Sequence, residues 1–210
     1  MKIAQINTVC GNGSVGRITV DIYHALKNAG HEGKIYYGRR TAPETAETEK
    51  FGSNLDMGIH VLSTFFTGTH GFNSKAQTKK LIERLKTYDP DLIHMHNIHG
   101  FYLNVEMFFE YLKQCGKPVV WTLHDCWSFT GHCAYFDFVE CDKWKTSCEK
   151  CPQYRNSYPY ALFKDGSKIN FIRKKEAFQG VKGLTIVTPS EWLGELVKES
   201  YLKEYPVKVI

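Results

Sequence analysis

No stretch of this 210-residue chain approaches the roughly 20 consecutive apolar residues that a membrane span requires. The N-terminus, Met-Lys-Ile-Ala-Gln-Ile-Asn, lacks the pattern of a signal peptide and enters a strand at once, so the expected compartment is the cytoplasm. A strong charge of one sign is missing as well: 27 basic against 22 acidic residues leave only +5. So small a surplus excludes a nucleic-acid footprint, and no nucleic-acid partner is expected. It suits phosphate-bearing ligands or peripheral contact with an anionic membrane surface. In a reducing compartment the seven cysteines are expected as free thiols or metal ligands rather than disulfides. What is present is ordinary for a globular chain, 42% apolar and 23% charged, and long enough to bury a real core.

Lys117 to Trp127 organises the rest. Val119, Val120, Trp121 and Leu123 make a short β-rich run with few charges and no clean alternation, the pattern of a strand covered on both faces. It ends in His124 and Asp125, groups able to donate and accept protons. Ligands of open α/β sheets bind beyond the carboxyl ends of the strands, which makes this tip a candidate site. Upstream, Lys2–Ile6 predicts a first strand. A Gly-rich loop follows, then a helix with Ile18, Ile22, Ala25, Leu26 and Ala29 at helical spacing, stopped by Gly30. Gly11, Gly13 and Gly16 satisfy G-x-G-x-x-G, which lets backbone N–H groups approach a phosphate at a helix N-terminus. The acid that would hold a ribose is absent where the second strand, Lys34–Tyr37, ends; Gly38, Arg39 and Arg40 stand there instead. Paired arginines suit a 2′-phosphate, so an NADP-dependent oxidoreductase is one alternative.

Residues 41–73 are expected as a loop with a short helix around Val61, Leu62, Phe65 and Phe66 facing a cleft. Ser74 to Gln77 spells a capping box for a helix with Leu81, Ile82 and Leu85 inward. Asp91-Leu-Ile-His-Met-His-Asn-Ile-His predicts a strand with a polar end. One of its histidines, His94 or His96, is expected inside, and the others, with Asn97, near the crevice. Asn104 should cap a helix that buries Val105, Phe108, Phe109 and Leu112 and closes at Gly116. Ser167–Phe178 predicts a helix with a basic face (Lys168, Arg173, Lys174, Lys175), either solvated or set against a membrane surface. Leu184–Val187 is a further strand, Ser190 caps a last helix, and Pro206–Ile210 begins another strand. Domains seldom stop inside a strand, so the natural chain is expected to continue.

Cys133, Cys141, Cys148 and Cys151 fall within nineteen residues. The Cys148-x-x-Cys151 pair has zinc-knuckle spacing, and four thiolates can close a tetrahedral structural zinc site. Such a site would organise an insert, about residues 126–160, that has few aliphatic side chains. His132 or Cys126 is the reserve ligand. The alternative is reduced cysteines packed with Trp127, Phe129, Tyr135 and Trp144; a redox Cys-x-x-Cys lacks its usual context.

The repeated β/α units predict an α/β fold with a doubly wound, Rossmann-like parallel sheet. Gly13-Ser-Val-Gly16, Pro90-Asp-Leu-Ile-His-Met-His, Val119-Val-Trp-Thr-Leu-His-Asp and Val187-Thr-Pro-Ser-Glu occur in that order. Together, over essentially the whole chain, they resemble the N-terminal domain of family 4 glycosyltransferases. Trp127–Pro159 resembles a Cys-containing variant found in polysaccharide-biosynthesis members. The resemblance implies that residues 1–210 are one half of a GT-B fold, lacking the C-terminal domain that would bind most of a nucleotide-sugar donor. It implies catalytic roles for His124 and Asp125, and substrate contacts from Gly11, Gly13, Ser14, Gly16, Arg17, Asn97 and His99. The implied reaction is a retaining transfer of a hexosyl-type sugar to a glycan or lipid-linked acceptor, with no cofactor required for catalysis. The family's paired-glutamate signature is not found here, so this chain is expected to be inactive alone. A non-catalytic module that binds a glycan or lipid-linked acceptor is the competing reading.

Overall fold

Four short apolar runs pair on both edges, and they build the middle of the sheet. In the computed structural model, which describes residues 1–210, β1 (Lys2–Val9), β4 (Leu92–Met95), β5 (Val119–Thr122) and β6 (Leu184–Thr188) lie side by side. β2 (Glu32–Arg39) and the short β3 (Thr48–Lys50) extend the sheet beyond β1, and β7 (Val207–Val209) closes the other edge. All seven strands are parallel, in the order β3-β2-β1-β4-β5-β6-β7. Helices α1 (Gly13–Asn28), α2 (Asn54–Thr67), α3 (Lys75–Tyr88), α4 (Val105–Cys115), α5 (Ser167–Phe178) and α6 (Glu191–Glu199) make the crossovers. The chain winds outward from β1 in one direction and from β4 in the other, so the strand order reverses between them. Such a switch point opens a crevice at the strand tips.

α4 forms as its sequence dictates. The Asn104 side chain accepts from the Met107 N–H at 2.9 Å, four residues (Val105, Phe108, Phe109, Leu112) turn inward, and Gly116 takes the left-handed φ of +68° that ends the helix. Phe109 meets Phe178 of α5 at 4.4 Å and Trp121 of β5 at 5.3 Å between ring centroids. These three rings lie in the main core, which runs from the sheet into the insert.

Four expectations change. α1 buries Gly16, Thr19 and Tyr23, leaving Ile18 and Ala25 exposed, because buried Asn7 donates to the Thr19 hydroxyl at 3.0 Å and turns that stripe to the sheet. The capping box at α3 does not form. The Ser74 hydroxyl is taken by the buried His60 imidazole at 2.9 Å and its backbone is left-handed, since an enclosed imidazole needs a partner more than a solvated helix end does. Residues 41–73 hold β3 and a fourteen-residue α2 whose Leu55, Ile59, Leu62 and Phe66 face outward rather than into a cleft. The basic face of α5 is not a solvated stripe. Lys174 is 1% exposed and reaches the Trp127 carbonyl at 2.6 Å, while Arg173 forks onto Glu106 at 2.6 and 2.7 Å.

The insert after β5 has no strand and only three single-turn helices, at Trp127–Phe129, Asp137–Val139 and Lys143–Lys145. Aromatic burial anchors it: Trp144 packs against Phe129 at 5.3 Å and Phe136 at 5.0 Å, inside the main core. The shortage of aliphatic residues is therefore made up by rings. No helix of the chain is long and apolar enough to cross a membrane.

Candidate active site at the strand tips

At the switch point an open cleft of about 310 Å³ is lined by Asn7, Thr8 and Val9 from β1, Asn12 to Gly16 from the α1 entry, Arg39, Asn97, His99, Gly100 and Tyr158. No carboxylate is among them. The α1 N-terminus is left uncapped: the Asn12 amide donates instead to the carbonyls of Cys10 and Thr41, at 2.9 and 2.7 Å, and the first turn carries no acid. Its free N–H groups and the helix dipole therefore favour an anion. Gly11 (φ +71°) and Gly13 (φ +67°) shape this entry, and a side chain on Gly11 would meet Pro43 at 2.8 Å. Arg39 adds a fixed cation to the wall, its guanidinium donating to the Gly100 carbonyl at 3.2 Å.

The opposite wall rests on backbone held by β1. The Thr8 hydroxyl donates to the carbonyl of Asn97 or His99, at 3.0 and 2.5 Å, and the Asn7 side-chain Oδ1 accepts from the Asn97 N–H at 3.3 Å. Gly100 is required there, because a Cβ would lie 2.5 Å from the Thr8 methyl. His99 then bridges to the tip of β5. Its Nε2 stands 2.8 Å from Asp125 Oδ2 and its Nδ1 3.1 Å from the Tyr158 hydroxyl. With Nε2–H donating to the carboxylate, Nδ1 accepts from Tyr158. Burial works against ionised Asp125, but the His99 partner and the Trp127 N–H, 2.9 Å from Oδ1, together hold its carboxyl below the usual carboxylate range.

His124 follows a different route. Its Nε2 lies 3.3 Å from Nδ1 of buried His96, whose ring in turn sits 4.3 Å from that of His94. Burial pushes the His124 pKa down, partly offset by Asp125, so the ring is held towards its neutral form. His94 finds the Thr122 hydroxyl at 2.8 Å and His96 reaches Gln5 at 3.4 Å. The His94–His96 pair is thus satisfied by the sheet.

Gly13, Ser14, Gly16, Asn97 and His99 come together in one cleft, and Asp125 joins them through His99. His124 neighbours this group without lining the cleft itself. Gly11 lies behind the loop, its N–H bonded to the Gly16 carbonyl at 2.9 Å, and Arg17 is exposed on α1. Asn7, Thr8 and Tyr158 were not anticipated. The first two stand at a strand's carboxyl end, a signal that was readable; Tyr158 arrives from the insert and gave none. The four insert cysteines converge elsewhere, around a hollow that also touches His132 and Ser167.

Residues 13–210 match the family model for Glycosyltransferase Family 4. The chain belongs to that family. Over 96% of its length it is 32% identical to WcaC of Escherichia coli (strain K12), a protein named for glycosyl transfer in colanic acid biosynthesis. It spans about half, 52%, of that relative. Among solved structures, the UDP-glucose complex of Medicago truncatula UGT71G1 aligns with all of the chain and 51% of its own length. The TM-score is 0.56 at 10% identity, a likeness of fold. The family 4 chain thus carries a Rossmann-like sheet of the GT-B kind, and the oxidoreductase alternative is set aside.

Proposed function

We propose that this family 4 chain is the acceptor-side lobe of a retaining glycosyltransferase. The whole enzyme would move a hexosyl-type sugar from a nucleotide-sugar to a glycan or lipid-linked acceptor in cell-surface polysaccharide synthesis. One observation carries the reading: an uncapped helix end with Arg39 beside it, and His99 backed by Asp125, open on the same cleft at the switch point through His99. The naming of WcaC supports the polysaccharide context.

In the proposed reaction the bond from the anomeric carbon to the diphosphate breaks, the diphosphate leaves with the electron pair, and the acceptor hydroxyl oxygen bonds to that carbon. Its proton ends on the departing phosphate. Positive charge develops on the sugar ring and negative charge on the leaving group. Arg39 and the α1 amides offset part of the latter. Asp125, held ionised, supplies a fixed negative charge beside the ring, and His124 in its neutral form can accept a hydrogen bond from a sugar hydroxyl.

The test compares this chain with a longer polypeptide that adds a second Rossmann-like domain, using a panel of nucleoside diphosphate sugars and following the product anomer by NMR. The longer polypeptide is expected to transfer sugar with retention, and the 210-residue chain alone to give none. Asp125→Asn in the longer form should lower kcat by about 100-fold or more. Steady turnover by the short chain, inversion at the anomeric carbon, or an unaffected Asp125→Asn enzyme would each defeat the proposal. Glycan binding without any transfer would instead establish the binding-module reading.

A further inference from the structure

The insert contains a second constellation, away from the strand-tip cleft. Cys133, Cys141, Cys148 and Cys151 line one small hollow of about 20 Å³, room for a single water-sized guest. Its walls carry polar atoms with nothing to bind. Of the eight buried side-chain nitrogen and oxygen atoms in the chain without a partner, three belong to this lining: His132 Nδ1, Trp144 Nε1 and Ser167 Oγ. The indole N–H and the hydroxyl are donors, and a sulfur bearing negative charge is the acceptor that would answer them.

The backbone already treats one of these sulfurs as an acceptor. The Gly131 N–H points at Cys148 Sγ over 3.1 Å. Gly131 is needed for that approach, since a Cβ there would stand 2.5 Å from Cys148 Cβ and 2.3 Å from the Ser167 carbonyl.

We propose that Cys133, Cys141, Cys148 and Cys151 form a structural site for a soft, zinc-class divalent cation, with Trp144 and Ser167 donating to the bound thiolates. Four thiolates around a divalent ion leave a net charge of −2, and two lysine side chains lie near it. Lys174 is fully buried, makes no ion pair with any carboxylate, and lies close enough to Cys133 and Cys148 to feel their charge. Lys143 lines the hollow itself, held by the carbonyls of Glu149 and Lys150 at 3.0 Å each. Glu149, also in the wall, is occupied by Lys168 at 3.1 Å. Cys126 does not line the hollow and is no ligand.

No three of the chain's His, Cys, Asp or Glu side chains already stand in metal-binding geometry. The sulfurs must therefore close on the ion as it binds, which is the usual coupling of metal uptake to local ordering. A disulfide is the weaker explanation of the same cluster. It would join two sulfurs, consume the acceptors and leave the Trp144 and Ser167 donors unanswered.

The experiment is metal analysis of the 210-residue chain purified without chelator, together with thiol counting. One zinc per chain is expected; in the native chain Cys115 should react readily, the buried Cys10 and Cys126 slowly, and the four cluster thiols only after chelation. Cobalt(II) substitution should give the intense thiolate-to-metal charge-transfer band of a tetrahedral sulfur site. Cys148→Ser should abolish binding and Trp144→Phe should weaken it by about tenfold, whereas Cys115→Ser should leave it unchanged. If the Cys148 variant fails to fold, the cobalt spectrum of the unaltered chain remains the readout. Zinc absent with the four cluster thiols reactive without chelation, or a disulfide within the cluster in metal-free protein, would overturn the proposal. Retention by Cys141→Ser with loss in His132→Gln would overturn the four-sulfur assignment.

Discussion

Mild acid should unfold this chain well above the pH at which carboxylates titrate, and four enclosed histidines are the reason. His60, His70 and His96 are each at most 1% exposed, and His94 is tucked against Thr122. Burial lowers the pKa of His60 and of His94 to about 4, and drives His70 and His96 well below their ordinary value of 6.5. His60 shows why a proton is unwelcome: the Gly71 N–H donates to its Nε2 at 3.2 Å, so Nδ1–H must serve Ser74, and a second proton would expel the Gly71 bond. The sign follows from linkage. A group whose pKa is lower in the folded state binds protons in the unfolded state first, so its contribution is complete above pH 6.5 and is lost as pH falls towards the folded value. Each group loses about 1.4 kcal/mol per pH unit in that window, or about 2 kcal/mol by pH 5. Four together lose about 8 kcal/mol, comparable with the whole stability of a typical domain, about 5–15 kcal/mol. Urea unfolding followed by tryptophan fluorescence at several pH values between 7.5 and 5 reads this directly. The midpoint should collapse over that range, and His60→Gln should remove about a quarter of the slope. A urea midpoint that stays level from pH 7 to pH 5 would refute the reasoning.

Three other outcomes are expected. Asn104→Ala removes the cap of α4 and the donor to the Phe72 carbonyl, and should cost about 1–3 kcal/mol in chemical denaturation. Phe109→Ala opens a cavity among Trp121 and Phe178, at a cost of about 3–5 kcal/mol with the fold retained by circular dichroism. Arg39→Ala, in the longer polypeptide, should raise KM for the donor more than it lowers kcat, with little change in Tm; an unchanged KM would take Arg39 out of the cleft's work.

Much of this fold was legible where signals are local. The bounds of α5 at Ser167 and Phe178, the Asn104 and Ser190 caps, the left-handed Gly116 and the doubly covered β5 all follow from patterns a few residues long. The misreadings have one physical origin. Ser74 and Gln77 suit a helix start, but His60, fourteen residues upstream, takes the hydroxyl. Helical periodicity marks Lys174 as one of a basic set, yet nothing in the spacing tells that it will be drawn under Trp127, its ammonium 4.0 Å from the ring centroid.

The amino-acid sequence by itself determined the alternation of strand and helix, hence a parallel sheet, and the polar tips at Asn97, His99, His124 and Asp125. Those depend on propensity and pattern, which act within a turn or two of chain. Only the tertiary structure decided which tips share a cleft. The reversal of strand order sets β1 beside β4, so Gly13 and Asn97 face one opening. The insert's return brings Tyr158 to His99 and carries four cysteines to a hollow of their own. Contacts of that kind are decided by which strand pairs with which, a choice settled by burial over the whole molecule rather than by neighbouring residues.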